Sequence, residues 1–171
     1  MDKKVLVAYA SKYGSTKEIA ERINAVLLQE GLRTDITPVD KVKDLEPYSA
    51  VVLGIAVYIG GWRKEAVKFL KANEGALTEK SLWLFSSGPT GEGDPVELLE
   101  GWQMPKGQQT LIERIQPKDI VVFHGNVDVD KVNRLHKWMI KNVKAPIGDF
   151  RDWDAIVAWA ESIATELNGV E

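Results

Sequence analysis

The sequence predicts an α/β fold: a three-layer, doubly wound, five-stranded parallel sheet with strand order 2-1-3-4-5, formed by one domain over residues 1–171. Three observations carry that expectation. Apolar runs of strand length alternate with segments of helical periodicity along the chain. Two of the runs, Lys4–Ala10 (KVLVAYA) and Ala50–Tyr58 (AVVLGIAVY), are apolar on both faces, as strands are when helices cover both sides of a sheet. The alternation itself implies right-handed crossovers between parallel neighbours.

The elements follow in order. After the first strand, Lys17–Gln29 places Ile19, Ala20, Ile23, Val26 and Leu27 at helical spacing, with Glu18, Glu21 and Arg22 opposite. Gly31 is the expected C-cap. Leu32–Val39 carries Arg33, Thr34 and Asp35 and fits a strand near an edge, whereas Ala50–Tyr58 is the most apolar run and is expected at the centre. Lys64–Ala72 is a short helix burying Ala66, Val67 and Leu70, and Ser81–Ser86 is the fourth strand. A Gly/Pro-rich loop runs from Ser87 to about Pro105, then a helix near Gln108–Ile115 precedes the fifth strand, Asp119–His124. Val132–Val143 and Asp152–Leu167 are helical, the latter with Trp153, Ile156, Val157, Ala160, Ile163, Ala164 and Leu167 on one stripe.

Composition narrows the function. The 171 residues are 44% hydrophobic and 27% charged with a formal net charge of -3, a balance that predicts no nucleic-acid partner. The chain has no cysteine, which removes disulfides, thiolate catalysis and cysteine-ligated metals and accords with a cytoplasmic setting. MDKKVLVAYA enters a strand at once, leaving no room for a signal peptide. The longest uncharged stretch, Ala50 to Trp62, falls short of the about 20 residues a membrane-spanning helix needs.

In a sheet of this order, ligands sit beyond the carboxyl ends of the strands where the order reverses. Three loops are thereby brought together. The first, Ser11–Thr16 (SKYGST), opens a helix with hydroxyls and a glycine, a setting in which free N–H groups and the helix dipole favour a phosphate. It lacks GxxxxGK[ST] and GxGxxG, so a phosphate monoester fits better than a nucleoside triphosphate or a dinucleotide. An ordinary N-cap by Ser15 or Thr16 explains the same residues. In the second loop, YIGGW, Tyr58 and Trp62 offer a stacking surface for a flat ring, or else Trp62 belongs to the core of a tight turn. The third, SSGPTGEGDP, offers its backbone polar groups to a ligand, where Glu92 and Asp94 would disfavour added negative charge on a nearby redox ring, or else it is a mobile surface loop.

SKYGST after VLVAYA, with YIGGW after the third strand, resembles the flavodoxin family. The segments VVLGIAVYIGGWRKEAVKFLK, NRLHKWMIKNVK and DFRDWDAIVAWAESIA are similar to one branch, flavodoxin-domain proteins related to menaquinone-dependent protoporphyrinogen IX dehydrogenase. The resemblance implies a flavodoxin-like fold, FMN as cofactor, and electron or hydride transfer, in that branch porphyrinogen oxidation coupled to a quinone. It implies that Ser11, Lys12, Tyr13, Gly14, Ser15 and Thr16 hold the FMN phosphate. Tyr58, Ile59, Gly60, Gly61 and Trp62, with Ser87, Gly88, Pro89, Thr90, Gly91, Glu92, Gly93 and Asp94, would frame the isoalloxazine ring. An electron carrier between protein partners is the alternative, favoured by the acidic run Glu92, Asp94, Glu97 and Glu100. A phosphate-binding module without flavin is the alternative from another class.

Two features stand apart. Residues 131–144 carry Lys131, Arg134, Lys137, Lys141 and Lys144 interleaved with Val132, Leu135, Trp138, Met139 and Ile140. Such a basic amphipathic helix touches an anionic membrane, docks an acidic redox partner, or packs on the domain with its lysines in water. His124 and His136 lack carboxylates at ligand spacing, so no metal site is expected, and no nucleophile–base pair identifies a catalytic residue. That accords with chemistry carried by a cofactor.

Overall fold

The computed structural model describes residues 4–58, 60–143 and 146–169; Ile59 and Lys144, both named above, lie outside them, as do the side chains of His136, Met139 and Val143. The first half of the chain runs β1 (Lys4–Ala10), α1 (Ser15–Gln29), β2 (Arg33–Pro38), β3 (Ala50–Tyr58), β4 (Gly61–Trp62), α2 (Lys64–Ala72) and α3 (Glu74–Thr78). The second runs β5 (Ser81–Ser87), α4 (Pro95–Leu98), α5 (Gln109–Ile115), β6 (Asp119–Phe123), β7 (Asn126–Val127), α6 (Arg134–Val143), β8 (Gly148–Asp149) and α7 (Trp153–Gly169). The main sheet has the order β2-β1-β3-β5-β6, all parallel, and these are the five strands read from the sequence in the order 2-1-3-4-5. β1 lies between β2 and β3, with Val7 opposite Ile36 on one side and Val52 on the other.

Side chains alternate across each strand, and the core divides accordingly. Val5, Val7, Phe85 and Phe123 pack beneath Ile19, Ile23 and Leu27 of α1 and Trp159, Ile163 and Leu167 of α7. Leu6, Leu53, Ile55 and Leu84 face Ala66, Phe69 and Leu70 of α2 and Leu111 and Ile112 of α5. Gly54 breaks the run of side chains on β3, and the ring of Phe85 occupies the space a Cβ would need. α1 ends as expected: Gly31 has φ 84°, its N–H donates to Leu28 O at 3.1 Å, and the N–H of Leu32 donates to Leu27 O at 3.0 Å.

The structure differs from the sequence expectation in several places. Trp153 shares the stripe of the last helix by spacing, yet it lies in the first turn at the surface, where the Arg151 guanidinium sits 4.7 Å from its ring centroid. Val67 is only partly buried, and Phe69 takes the core position on α2. The second loop is a tight hairpin in which β4 returns antiparallel on β3, pairing Gly61 with Tyr58. The third loop contains α4, because Asp94 followed by Pro95 makes a good helix start. A second, two-stranded sheet joins β7 to β8 and closes the base of the excursion that carries α6.

Candidate cofactor site

The site is built where β1, β3 and β5 end. α1 begins at Ser15, and its N-cap is Gly14 in the left-handed region at φ 93°. Neither Ser15 nor Thr16 caps the helix, which corrects that sequence reading; glycine is used because the entry angle requires positive φ. Ser11 stabilises the turn, its Oγ accepting from the Gly14 N–H at 3.1 Å. The first-turn N–H groups of the helix therefore point out of the loop without intrahelical partners.

The two hydroxyls that follow behave differently. Thr16 is buried and its Oγ1 lies 3.0 Å from Ser87 Oγ, which ties the first loop to the start of the third. Ser15 Oγ is shielded from solvent and has no hydrogen-bond partner among the described residues. An unmade bond of that kind costs stability unless a ligand completes it. Located on the first turn of a helix whose N–H groups are free, it fits a phosphate oxygen.

Tyr13 and Tyr58 join the first and second loops. Their rings meet edge to face with centroids 5.9 Å apart, and the Lys12 ammonium lies 5.3 Å from the Tyr13 centroid. Burial pushes the Tyr58 phenol up to about 12, against the opposing pull of Arg63 and of backbone hydrogen bonds from Lys12 and Tyr13. Because the fold favours the protonated phenol, its contribution to stability is complete below an unfolded value of about 10 and is lost as pH rises. The 295 nm absorbance of Tyr58, isolated by difference against Tyr58→Phe, is expected to titrate with a midpoint near about 12.

Trp62 turns inward. It is 7% exposed, and its indole N–H donates to Ser86 Oγ at 3.0 Å, so it anchors the second loop to β5 and leaves little of its ring at the surface. Tyr13 and Tyr58 carry the aromatic surface instead. Gly60, with φ 68°, makes the reversal, and a Cβ there would meet nothing within 4 Å.

The third loop is held from below. A Cβ on Gly125 would come within 3.1 Å of the Gly88 backbone, and one on Gly88 within 3.0 Å of Val57 Cβ, so three chain segments touch backbone to backbone. The Gly125 N–H donates to Pro89 O at 2.8 Å. His124, just past β6 and 8% exposed, places Nε2 2.6 Å from Gly93 O and Nδ1 3.3 Å from Pro89 O. It braces the loop. Thr90 and Gly91 are partly buried on the span between these anchors, while Glu92 and Asp94 are exposed. Asp94 caps α4, accepting from the N–H groups of Val96 and Glu97 at 2.8 and 3.0 Å.

Arg151 belongs to the site's surroundings and was not singled out in the sequence. Its side chain is 5% exposed, pairs with Asp149 through two hydrogen bonds of 2.8 and 2.7 Å, and also binds Glu18. The same guanidinium lies 3.4 Å from Ser15 O, and it holds the Asp149 carboxyl below the usual carboxylate range. No spacing rule links residue 151 to residue 15; only the tertiary fold does.

A helix N-terminus with an unpartnered serine, a tyrosine pair and a glycine-rich loop lie together at the reversal of a doubly wound sheet, a setting that fits a phosphate ester bearing a flat ring. Residues 6–154 match the family described as Flavodoxin domain, and the chain belongs to that family. None of the curated proteins matches it at a significant level. Among solved structures it is similar to a flavodoxin from the domain Archaea, at 14% identity and TM-score 0.64, covering 96% of this chain and 99% of that one. The flavodoxin of Streptococcus pneumonia TIGR4 shares 17% identity with TM-score 0.60, covering 95% and 99%. A flavodoxin, WrbA-like protein from Agrobacterium tumefaciens shares 14% with TM-score 0.60, covering 99% of each chain. At such identities these structures establish the fold, and family membership assigns FMN as cofactor and electron transfer as the function. The first loop fits the phosphate of that cofactor.

Proposed function

We propose that the protein is an FMN-dependent oxidoreductase that works at an anionic membrane surface and exchanges electrons with a membrane-borne quinone. FMN, when bound, supplies electron or hydride transfer at its ring. The chain's own residues bind it: the α1 N-terminus and Ser15 for the phosphate, and Tyr13, Tyr58, the Gly60–Gly61 turn and the Ser87–Asp94 loop for the ring. The observation that carries the membrane reading is α6. Leu135 and Trp138 are 59% and 63% exposed, so these two apolar side chains of the helix are not packed on the domain. Arg134, Lys137 and Lys141 stand beside them at helical spacing, the arrangement of a helix that lies in a lipid interface. Ile147, 58% exposed, adds to the same excursion. No helix among the described residues is long and apolar enough to cross a membrane, so contact would be peripheral.

Porphyrinogen oxidation coupled to a quinone is the finer form of this reading. It is supported by the likeness of the NRLHKWMIKNVK segment, most of which is α6, to the porphyrinogen-oxidising branch. The second reading, a carrier between protein partners, is favoured by the exposed acidic residues Glu92, Glu97 and Glu100 around the third loop.

The test is flotation of the FMN-loaded protein with vesicles rich in phosphatidylglycerol, with phosphatidylcholine vesicles as control. Binding to the anionic vesicles is expected, and Lys137→Glu with Lys141→Glu should weaken it at least about tenfold, from about 1 kcal/mol per basic residue. Chemically reduced protein is expected to pass two electrons to a water-soluble menaquinone analogue, which takes up two protons. Absence of flotation, with efficient transfer only to another protein, would establish the carrier.

A further inference from the structure

A second feature lies on the other side of the second loop. Trp62, Lys64, Val67, Lys68 and Lys71 line an open trough of about 640 Å³ that ends at Gln108. It adjoins a recess of about 230 Å³ between the first and second loops, where Lys12, Tyr58 and Arg63 meet; Trp62 and Lys64 line both. Lys64, Lys68 and Lys71 fall at i, i+4 and i+7 on α2 and so share one helix face over about 10 Å. All three ammonium-bearing residues are exposed, and none of them forms an ion pair among the described residues. The one carboxylate in the lining, Glu65, is paired with Arg63 at 2.6 Å.

Two buried polar atoms with no partner among the described residues belong to side chains at the ends of this feature: Arg63 Nε, a donor, and Gln108 Oε1, an acceptor. A solvated row of lysines does not account for them. On a chain whose formal net charge is -3, Lys64, Lys68 and Lys71 form one cationic face here while Glu92, Glu97 and Glu100 stand exposed at the third loop. The region around the cofactor is thus divided into a basic side and an acidic side. Such a division orients an approaching charged partner as well as attracting it.

We infer that the α2 trough is the docking surface for an acidic segment of a redox partner protein, seated beside the second loop of the cofactor site. Carboxylates of the partner would lie along Lys64, Lys68 and Lys71, with an apolar residue over Trp62 and Val67. The shallowness of the trough suits a protein surface rather than an enclosed small molecule. The inference rests on the electron-transfer reading and is independent of membrane contact, which uses α6.

A fluorescein-labelled decaglutamate peptide is the probe, and decalysine is the control. With FMN-loaded, isotope-labelled protein at low salt, decaglutamate is expected to shift amide signals of residues 64–72 and 108, and decalysine is not. Fluorescence anisotropy should show at least about tenfold weaker binding for Lys64→Glu with Lys68→Glu and Lys71→Glu, and little change for Lys137→Glu with Lys141→Glu. FMN affinity of the triple variant, read by visible absorbance, should be unchanged. Shifts that map to residues 131–141, or equal peptide binding by wild type and the triple variant, would overturn the proposal. Failure of the flavin reading would appear separately, as protein that binds the peptide at α2 but takes up no FMN.

Discussion

Ser15→Ala is expected to weaken FMN binding by about tenfold to a hundredfold and to leave riboflavin binding unchanged. The serine hydroxyl is shielded and has no partner within the described chain, so its removal breaks nothing in the free protein. A hydrogen bond to a charged group contributes about 1.5–3 kcal/mol, and each tenfold in affinity is about 1.4 kcal/mol. Riboflavin has the same ring without the phosphate and serves as the internal control. Fluorescence quenching titrations with both ligands give the comparison directly. Equal losses for the two would place Ser15 at the ring and remove the phosphate assignment. Thr16→Val makes a less clean test, because it also severs the buried contact to Ser87.

The second large effect concerns stability. Gly54→Ala should cost about 3 kcal/mol, the upper part of the ordinary range for overpacking a core. An added Cβ would lie 2.2 Å from the Phe85 ring, and that ring cannot retreat. Phe85 is fully buried, with Phe123 and Trp159 at centroid distances of 5.8 and 6.0 Å on its other sides. Phe85→Leu in the Gly54→Ala background should recover part of the loss, giving a favourable coupling of about 1 kcal/mol or more in a double-mutant cycle read by urea unfolding. Additive losses would mean that the strand relaxes by moving its backbone rather than by meeting the ring.

How much of this was legible beforehand depends on the range of the interaction. The five parallel strands followed from apolar runs such as AVVLGIAVY, because burial on both faces leaves a mark at every position, whereas their order came from the doubly wound arrangement that fits a chain of this length. The convergence of the first, second and third loops followed from the order reversal around β1 and β3. Trp62 was undecidable: a tryptophan beside two glycines suits a stacking platform and a core anchor equally, and the Ser86 hydroxyl that decides it is on another strand. The alternative N-cap by Ser15 or Thr16 is not the one used; side-chain capping is the commoner solution, and the positive φ of Gly14 leaves no signature beyond the glycine itself. Trp153 fits the helical stripe by spacing, but in the first turn Arg151 draws it to the surface. Arg151, His124 and Gly125 act through contacts more than thirty residues away in sequence, which no local pattern encodes.

The small sheet of β7 and β8 has a consequence for how this chain tolerates rearrangement. Asn126 sits opposite Asp149 and Val127 opposite Gly148, so the two ends of the excursion that carries α6 are neighbours across one strand pair, about 5 Å apart. The chain thus leaves at β7 and comes back at β8 to the place it left. Such a stretch is a cassette: its contents can lengthen, shorten or be exchanged for a tight turn without altering the path of β6 or α7. Recognition carried by that stretch is therefore free to diverge faster than the cofactor chemistry beneath it. The fastening at its exit, where Arg151 grips both Asp149 and the first turn of α1, keeps the cassette's register fixed to the cofactor loop while its interior changes.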